Sequence, residues 1–217
     1  MKIVYKLVTR GRPNLFKKNL SLFYERMSGH NEFEFLVPLD AGDLTMNNSS
    51  MKEFLSHFPH LSFDFFSPLG KIEATNLGLS DVEFDILVVL LDDMVPLVKD
   101  FDDIIVHHMN QYFPNLDGVL HFNDGYRRRQ DLITIQIVGK QLFDYLGYLF
   151  HSDYLEYFCD REFTEVTYAL NKVKYFPEVI IKHDHIPKKI DWKNHPDRAV
   201  FFRRQKLNFP KKSILEV

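Results

Sequence analysis

The sequence predicts an α/β protein whose central sheet is mostly parallel and covered by helices on both faces. The stretch from Phe84 to Pro96 holds a run of Ile, Leu and Val that is typical of a strand buried on both faces. Strand and helix patterns alternate over about the first 110 residues, as in doubly wound sheets. With 217 residues, 45% of them hydrophobic, and no repeat or low-complexity linker, the chain suits one compact unit with a sizeable core.

Local signals place the elements of the first half. Pro13 suits the first turn of a helix whose apolar stripe reaches Met27. Asn48 and the two serines after it are N-cap residues for a short helix through Phe58. The other elements expected here are strands at Lys2–Val8, Phe33–Leu39 and Leu61–Phe66, and helices at Lys71–Leu79, closed by Gly78, and around Val95–Met109.

The second half is less regular and predicts a smaller, mixed sheet packed with further helices. Its expected elements are strands at Gly118–Phe122 and Leu132–Val138, helices at Lys140–Gly147 and Thr164–Asn171, an extended segment at Tyr175–His185, and a polar tail from Pro187.

Composition excludes several classes of function. A net charge of −3 argues against broad binding to nucleic acid or to an anionic membrane. Cys159 is the single cysteine, so an internal disulfide is impossible, which fits a reducing compartment. The start of the chain, Met1–Lys6, is too polar for a signal peptide, and no apolar run approaches the ~20 residues that span a bilayer. We therefore expect a cytoplasmic protein.

Polar residues collect where the predicted strands of the first half end. Thr9–Pro13 follows the first strand, Asp40–Asp43 the second, and Asp92–Asp93 the buried fourth strand. The carboxyl ends of neighbouring parallel strands line one crevice, and the backbone donors of Thr9–Arg12 make a natural cradle for an anion or nucleotide. The pair Asp92–Asp93 is either a divalent-cation site facing a phosphate or an N-cap for the next helix.

Two later segments carry further candidate groups. His183 and His185 are two residues apart on an extended segment, so both imidazoles share one face. Oxygen ligands with an imidazole suit Mn²⁺ or Mg²⁺ better than zinc. Asp160 and Glu162 precede a predicted helix, where they serve either as favourable charge at its N-terminus or as a general base.

Taken in order, these segments resemble the small GT-A glycosyltransferases, particularly family 2-like enzymes, which move a sugar from a nucleotide diphosphate to an acceptor hydroxyl. Segment 9–13 resembles the opening nucleotide loop, and segment 35–40 the strand whose terminal Asp40 contacts the base. Segment 71–78 is similar to the Lys- and Asn-bearing helix of the family, and Leu91–Met94 to its metal-binding acidic motif, often called DXD. The nucleotide-binding residues implied by the resemblance are Thr9, Arg10, Arg12, Asp40, Lys71, Asn76 and Asp92.

The resemblance continues through the second half. It implies a loop beneath the donor sugar at Asn123, Asp124 and Gly125, and a catalytic acidic motif at Asp160 and Glu162. The implied metal ligands are Asp93, Asp92, His183 and His185. The acidic motif is Asp-Asp and not a full Asp-x-Asp, so the choice between the two carboxylates stays open. Arg203–Arg204 stands where some relatives bring a diphosphate-binding arginine.

The resemblance therefore implies a single GT-A domain over 1–217, with a nucleotide-binding half at 1–98, a donor-sugar and acceptor half at 99–190, and a tail at 191–217. It implies an inverting enzyme that depends on Mn²⁺ or Mg²⁺ and transfers a sugar from a nucleotide sugar to a glycan or other hydroxyl. A UDP-sugar is the favoured donor, because a carboxylate at Asp40 pairs with the ring N–H of uracil. Two alternatives are a non-catalytic nucleotide-sugar-binding module and a sugar-1-phosphate nucleotidyltransferase.

Overall fold

The computed structural model describes residues 1–67, 69–126, 131–184 and 190–209. The strands in these ranges are β1 (Lys2–Val8), β2 (Glu32–Asp40), β3 (Leu61–Phe66), β4 (Ile86–Leu91), β5 (Met94–Pro96), β6 (Val119–Phe122), β7 (Ile137–Gly139), β8 (Val173–Phe176) and β9 (Ile181–His183). The helices are α1 (Pro13–Arg26), α2 (Ser49–Ser56), α3 (Lys71–Asn76), α4 (Phe101–Tyr112), α5 (Lys140–Leu146), α6 (Cys159–Ala169) and α7 (Pro196–Lys206). No helix in these ranges combines the length and the apolarity needed to cross a bilayer.

A seven-stranded sheet in the order β3-β2-β1-β4-β7-β6-β8 forms the centre of the molecule. The first four strands of that order are mutually parallel, β7 runs antiparallel to both of its neighbours, and β8 is parallel to β6. A separate antiparallel pair joins β5 to β9. The prediction of a mostly parallel α/β sheet with a smaller second sheet is confirmed.

The central strand β1 is buried on both faces because helices cover both sides of the sheet. Ile3, Tyr5 and Leu7 belong to one hydrophobic cluster, whereas Val4 belongs to a second cluster. This alternation follows from the two-residue period of a strand. Much of the high phenylalanine content fills the hydrophobic core. The rings of Phe16, Phe23, Phe35, Phe101 and Phe201 have no exposed surface.

A buried lysine in β1 gives the fold a testable pH dependence. Lys6 is 2% exposed, and its ammonium donates to the carbonyl of Leu77, just after α3. Burial lowers the pKa of Lys6 from 10.5 to about 8. The unfolded chain then binds more protons than the folded chain between these values, so the free energy of unfolding should rise with pH from 8 to 10.5. Urea unfolding at several pH values should show this rise in the wild type but not in Lys6→Met. If the free energy of unfolding of the variant rose with pH as steeply as that of the wild type, Lys6 would not be its cause.

The predicted helix around Val95–Met109 is wrong at its start. Met94–Pro96 is a strand, and the helix begins only at Phe101, after Asp100 in a left-handed conformation with φ of 57°. The residue before a proline avoids helical backbone, which favours the extended conformation at Val95. The interpretation of Asp92–Asp93 as an N-cap is therefore also wrong, since a strand follows the pair.

Other boundaries in the second half differ from the predictions for tertiary reasons. The predicted Leu132–Val138 strand is wrong at its start, since β7 begins only at Ile137 and runs to Gly139. Upstream, the Ile133 amide donates to Thr164 Oγ1 at 2.9 Å instead of to a neighbouring strand. Helix α6 begins at Cys159, five residues before the predicted start at Thr164. The predicted extended segment Tyr175–His185 divides into parts of β8 and β9, and the polar tail contains α7.

Candidate active site

Asp92 and Asp93 form the turn between β4 and β5, and both are buried. Thr9 Oγ1 donates to Asp92 Oδ2 at 2.7 Å, and Arg12 Nε donates to the same oxygen at 3.1 Å. The Arg12 guanidinium also pairs with Asp92 Oδ1, and its Nη1 lies 3.1 Å from Asp93 Oδ2. The loop after β1 and the acidic turn after β4 thus meet at the carboxyl edge of the sheet.

The second sheet brings the late histidine to this turn. In the β5–β9 pair Met94 stands opposite His183, and the Asp184 amide donates to the Asp93 carbonyl at 2.8 Å. His183 Nε2 lies 3.3 Å from Asp93 Oδ1. The structure therefore brings together Asp93 and His183, which are distant in sequence. The other predicted histidine ligand, His185, lies outside the described residues.

The two carboxylates differ in electrostatic environment. Burial is the largest influence on Asp93 and raises its pKa, but the hydrogen bond and charge of His183, together with Arg12, outweigh it and bring the pKa to about 2. Burial also raises the pKa of Asp92, and there Thr9 and Arg12 offset only part of the effect. Asp93 is therefore the carboxylate that stays ionised most readily.

The donor atoms at the turn suit a divalent cation that takes further ligands from elsewhere. Asp93 Oδ1 is buried and lies beside His183 Nε2, at 3.3 Å. A carboxylate oxygen beside an imidazole nitrogen is a donor set that Mn²⁺ accepts. No group of three His, Cys, Asp or Glu residues in the described part of the chain could hold a metal ion alone.

The carboxylate of Asp43, which was not among the predicted site residues, connects the loops after β1 and β2. The Gly11 amide, expected to face an anion, donates instead to Asp43 Oδ2 at 2.6 Å. Burial is the largest influence on Asp43, but the donors from Thr45 and Gly11 outweigh it and lower the pKa. Asp40 accepts from the Gly42 amide at 2.8 Å and pairs at 3.0 Å with Arg10, which is mostly exposed.

The loop predicted to lie beneath the donor sugar packs against β9. Asp124 accepts from the Tyr126 amide at 2.9 Å and from Thr134 Oγ1 at 2.8 Å, and its carbonyl accepts from the His183 amide at 2.8 Å. Gly125 has φ of 72°, and a Cβ there would lie 2.9 Å from Lys182 Cγ. Asn123 Oδ1 closes the turn by accepting from the Gly125 amide at 2.9 Å. This loop therefore fixes the position of His183.

Solved structures resemble this architecture, whereas no protein-family model and no curated protein sequence matches the chain. The mannosyltransferase PcManGT from Pyrobaculum calidifontis, solved with GDP-Man and Mn²⁺, superimposes with a TM-score of 0.68 over 87% of this chain at 18% identity. TarS 1–349 from S. aureus superimposes with a TM-score of 0.71 over 95% of this chain at 14% identity in its UDP-GlcNAc complex, and with 0.67 over 84% at 15% in its UDP complex. The chain has a GT-A-type fold. It spans 57% of the length of PcManGT and 65% and 60% of the two TarS chains.

Within the GT-A-type fold, α3 contacts the segment that leads into α6. Lys71 Nζ donates to the Glu156 carbonyl at 3.3 Å and lies 5.8 Å from the centre of the Tyr157 ring. The side chain of Asn76 donates from Nδ2 to the Phe150 carbonyl at 2.6 Å, and its Oδ1 accepts from the backbone amide of Phe150 at 3.1 Å. Both predicted nucleotide-binding residues of α3 therefore hold the 150–157 segment in place.

The two predicted catalytic carboxylates occupy different environments at the start of α6. Asp160 is partly exposed, and its Oδ1 accepts from the Arg161 amide at 2.9 Å. Glu162 is 4% exposed and pairs with Arg204 through bonds of 2.7 and 2.8 Å. Arg204 is 4% exposed, so this ion pair lies in the interior of the protein.

Asn19 helps to position the acidic turn at Asp92 and Asp93, a role that the sequence did not predict. It lies on α1, is 2% exposed, and donates from Nδ2 to the Asp92 carbonyl at 2.7 Å. The only local signal was a polar residue beside the apolar stripe of α1. The amide holds the acidic turn against the helix.

Proposed function

We propose that the protein transfers a glycosyl group from a nucleotide diphosphate sugar to an acceptor hydroxyl, with inversion at the anomeric carbon. The observation that carries this proposal is the meeting of Asp93, Arg12 and His183 at the carboxyl edge of a GT-A-type sheet. In α/β sheets ligands bind outside the carboxyl ends of the strands. The similar folds were solved with GDP-Man or with UDP and UDP-GlcNAc, which supports a nucleotide-sugar donor.

Asp93 and His183 would hold a divalent cation, Mn²⁺ or Mg²⁺. When bound, such an ion offsets the negative charge that develops on the departing diphosphate. Arg12 now neutralises both carboxylates and is one-third exposed, so its guanidinium can also turn to a diphosphate oxygen.

Asp160 would act as the general base. The acceptor oxygen forms a bond to the anomeric carbon while the bond from that carbon to the diphosphate oxygen breaks. The acceptor proton passes to Asp160, and the nucleoside diphosphate leaves. Lys71 supports this placement, because it connects α3, which follows the carboxyl end of β3, to the segment just before Asp160.

A UDP-sugar is the donor we favour. Asp40 lies at the end of β2, and a carboxylate oxygen accepts more than one hydrogen bond, so the ring N–H of uracil can add to the contacts with Arg10 and Gly42. The nucleotide would then use residues 1–98, and the donor sugar and acceptor residues 99–190.

Calorimetry with UDP and GDP, in Mn²⁺ and in a chelator, tests the proposal together with hydrolysis of a panel of nucleotide sugars. We expect Mn²⁺-dependent binding of UDP and slow release of UDP from one UDP-sugar. Asp93→Asn and His183→Ala should abolish the metal dependence. Equal nucleotide affinity in Mn²⁺ and in the chelator, or nucleotide binding without any hydrolysis or transfer, would contradict the proposed enzyme.

Arg12→Gln should separate the two roles of that arginine. Removing a cation that competes for Asp93 should strengthen binding of Mn²⁺ alone, whereas losing the diphosphate contact should weaken binding of UDP by about tenfold. Calorimetric titration with MnCl₂ and then UDP measures both. Arg26→Gln, at the other end of α1, is the matched control and should change neither; parallel changes of both affinities in Arg12→Gln would refute the competition.

A further inference from the structure

The charge of the chain is unevenly distributed, and basic residues concentrate around α7. Segment 188–212 holds nine Lys and Arg against two Asp, whereas the rest of the chain holds 18 Lys and Arg against 28 Asp and Glu. The two acidic residues are Asp191, which is exposed, and Asp197, which is buried. The net charge of −3 therefore conceals one basic segment in an acidic protein, and an anionic surface attracts such a segment locally.

The outward face of α7 carries this positive charge at helical spacing. Arg198, Phe202 and Lys206 are exposed and lie four residues apart, so they form one stripe along the helix. The Arg198 guanidinium lies 4.9 Å from the centre of the Phe202 ring. Beside the stripe, Arg203 pairs with Asp153. Within the described ranges, no carboxylate forms an ion pair with Arg198 or Lys206, so the stripe keeps its positive charge.

Buried contacts on the opposite side of α7 hold the stripe outward. Asp197 has no exposed surface, and its carboxylate accepts from the three backbone amides of residues 155–157 at 2.9, 2.8 and 2.8 Å. One and two turns further along the helix, Phe201 is fully buried and Arg204 pairs with Glu162. The helix is therefore fixed before any partner arrives, and binding to it would cost little conformational entropy.

Large apolar side chains are exposed beside these cations. Trp192 is 50% exposed, Phe202 39% and Leu207 63%. The Trp192 ring lies 6.1 Å from that of Phe158, which in turn lies 5.8 Å from Phe201, so Trp192 belongs to the surface around α7. Exposed apolar groups among polar ones mark protein or membrane contacts. Tryptophan, phenylalanine and leucine beside Lys and Arg are typical of segments that lie on anionic lipid.

We propose that the outward face of α7, together with Trp192, binds the surface of an anionic lipid bilayer. The cations contact the headgroup phosphates, while the exposed apolar side chains reach the boundary with the acyl chains. A nucleic-acid duplex also offers phosphates, but it has no apolar layer to cover Phe202 and Leu207. The helix stays packed on the protein and contacts the bilayer with one face only. This inference goes beyond the proposed glycosyl transfer and does not depend on it.

Cosedimentation with lipid vesicles tests the proposal, with Trp192 as the reporter because it is the single tryptophan of the chain. The probes are vesicles of phosphatidylglycerol and phosphatidylcholine in equal parts, and vesicles of phosphatidylcholine alone. We expect the protein to sediment with the anionic vesicles only, and high salt to release it. On binding, Trp192 emission should shift to the blue and be quenched by brominated acyl chains.

A double variant locates the contact. Arg198→Gln with Lys206→Gln should weaken binding to the anionic vesicles by about 30-fold, because each cation near such a surface contributes roughly fivefold. Lys18→Gln with Lys52→Gln is the matched control, since it removes two exposed charges from α1 and α2 and should change vesicle affinity by less than about twofold. Far-UV circular dichroism of both double variants should match the wild type.

Several results would overturn the proposal. Equal sedimentation with neutral and anionic vesicles would remove the role of charge, and equal losses in the two double variants would remove the role of α7. Binding without a change in Trp192 emission would place the contact elsewhere. If a DNA duplex bound more tightly than the anionic vesicles, the partner would be a nucleic acid and not a bilayer. UDP calorimetry on the same preparations reports on the proposed transferase separately, because none of these outcomes requires nucleotide.

Discussion

Asp160→Asn should slow glycosyl transfer by about 10²–10⁴-fold, the usual contribution of a positioned general base. The amide keeps the size of the side chain but cannot accept the proton of the acceptor hydroxyl. Because the proposed nucleotide contacts lie at the ends of β1, β2 and β4, UDP–Mn²⁺ affinity should stay within about twofold of the wild type. Single-turnover transfer onto an acceptor verified by product mass, alongside UDP calorimetry, measures both quantities.

Glu165→Gln is the matched control for that experiment. Glu165 lies on the same helix and pairs with Arg161 at 3.1 Å at the surface, so its loss should leave the rate close to that of the wild type. A near-wild-type rate in Asp160→Asn would remove this residue as the base. If Asp160→Asn lowered the transfer rate and the UDP affinity together, the substitution would have disrupted the structure of the site and not only removed a base.

The parallel half of the fold could be predicted closely because local signals there agree with tertiary structure. The limits of β1 and β3 coincide with the predicted strands, and Asn48 caps α2 by accepting from the Met51 amide at 3.0 Å. The second half could not be predicted as well. The three-residue strands β5 and β9 exist through pairing with each other, and no local pattern encodes that pairing.

The candidate site shows the same division. That Asp92 and Asp93 follow a buried strand can be predicted from the apolar run before them, and the contact of Asp92 with Thr9 follows from the pairing of neighbouring parallel strands. The bond from the Gly11 amide to Asp43 depends on loop conformations that composition does not specify. Likewise, the spacing of Asp160 and Glu162 does not reveal that only Glu162 points into the interior.

Removing one partner of the buried pair of Glu162 and Arg204 should cost more stability than removing one partner of a surface ion pair. Tyr154 donates to Glu162 Oε2 at 2.7 Å, and Arg204 Nη2 donates to the Tyr148 hydroxyl at 2.8 Å, so the network joins α6, α7 and the segment between α5 and α6. Arg204→Met leaves a buried carboxylate without its cation and should lower the free energy of unfolding by about 3–5 kcal/mol. Urea unfolding measures the loss.

Arg203→Met is the matched control, since the neighbouring Arg203 pairs with Asp153 at the surface and its loss should cost less than about 1 kcal/mol. Adding Glu162→Gln to Arg204→Met removes the stranded charge, and the double variant should therefore recover about 1–2 kcal/mol relative to Arg204→Met alone. Equal losses in the Arg203 and Arg204 variants would contradict the buried network. Asp197 on α7 accepts from the amide of Tyr157, three residues before Asp160. Arg204→Met should therefore weaken transfer as well as folding, whereas UDP affinity should persist wherever the protein remains folded.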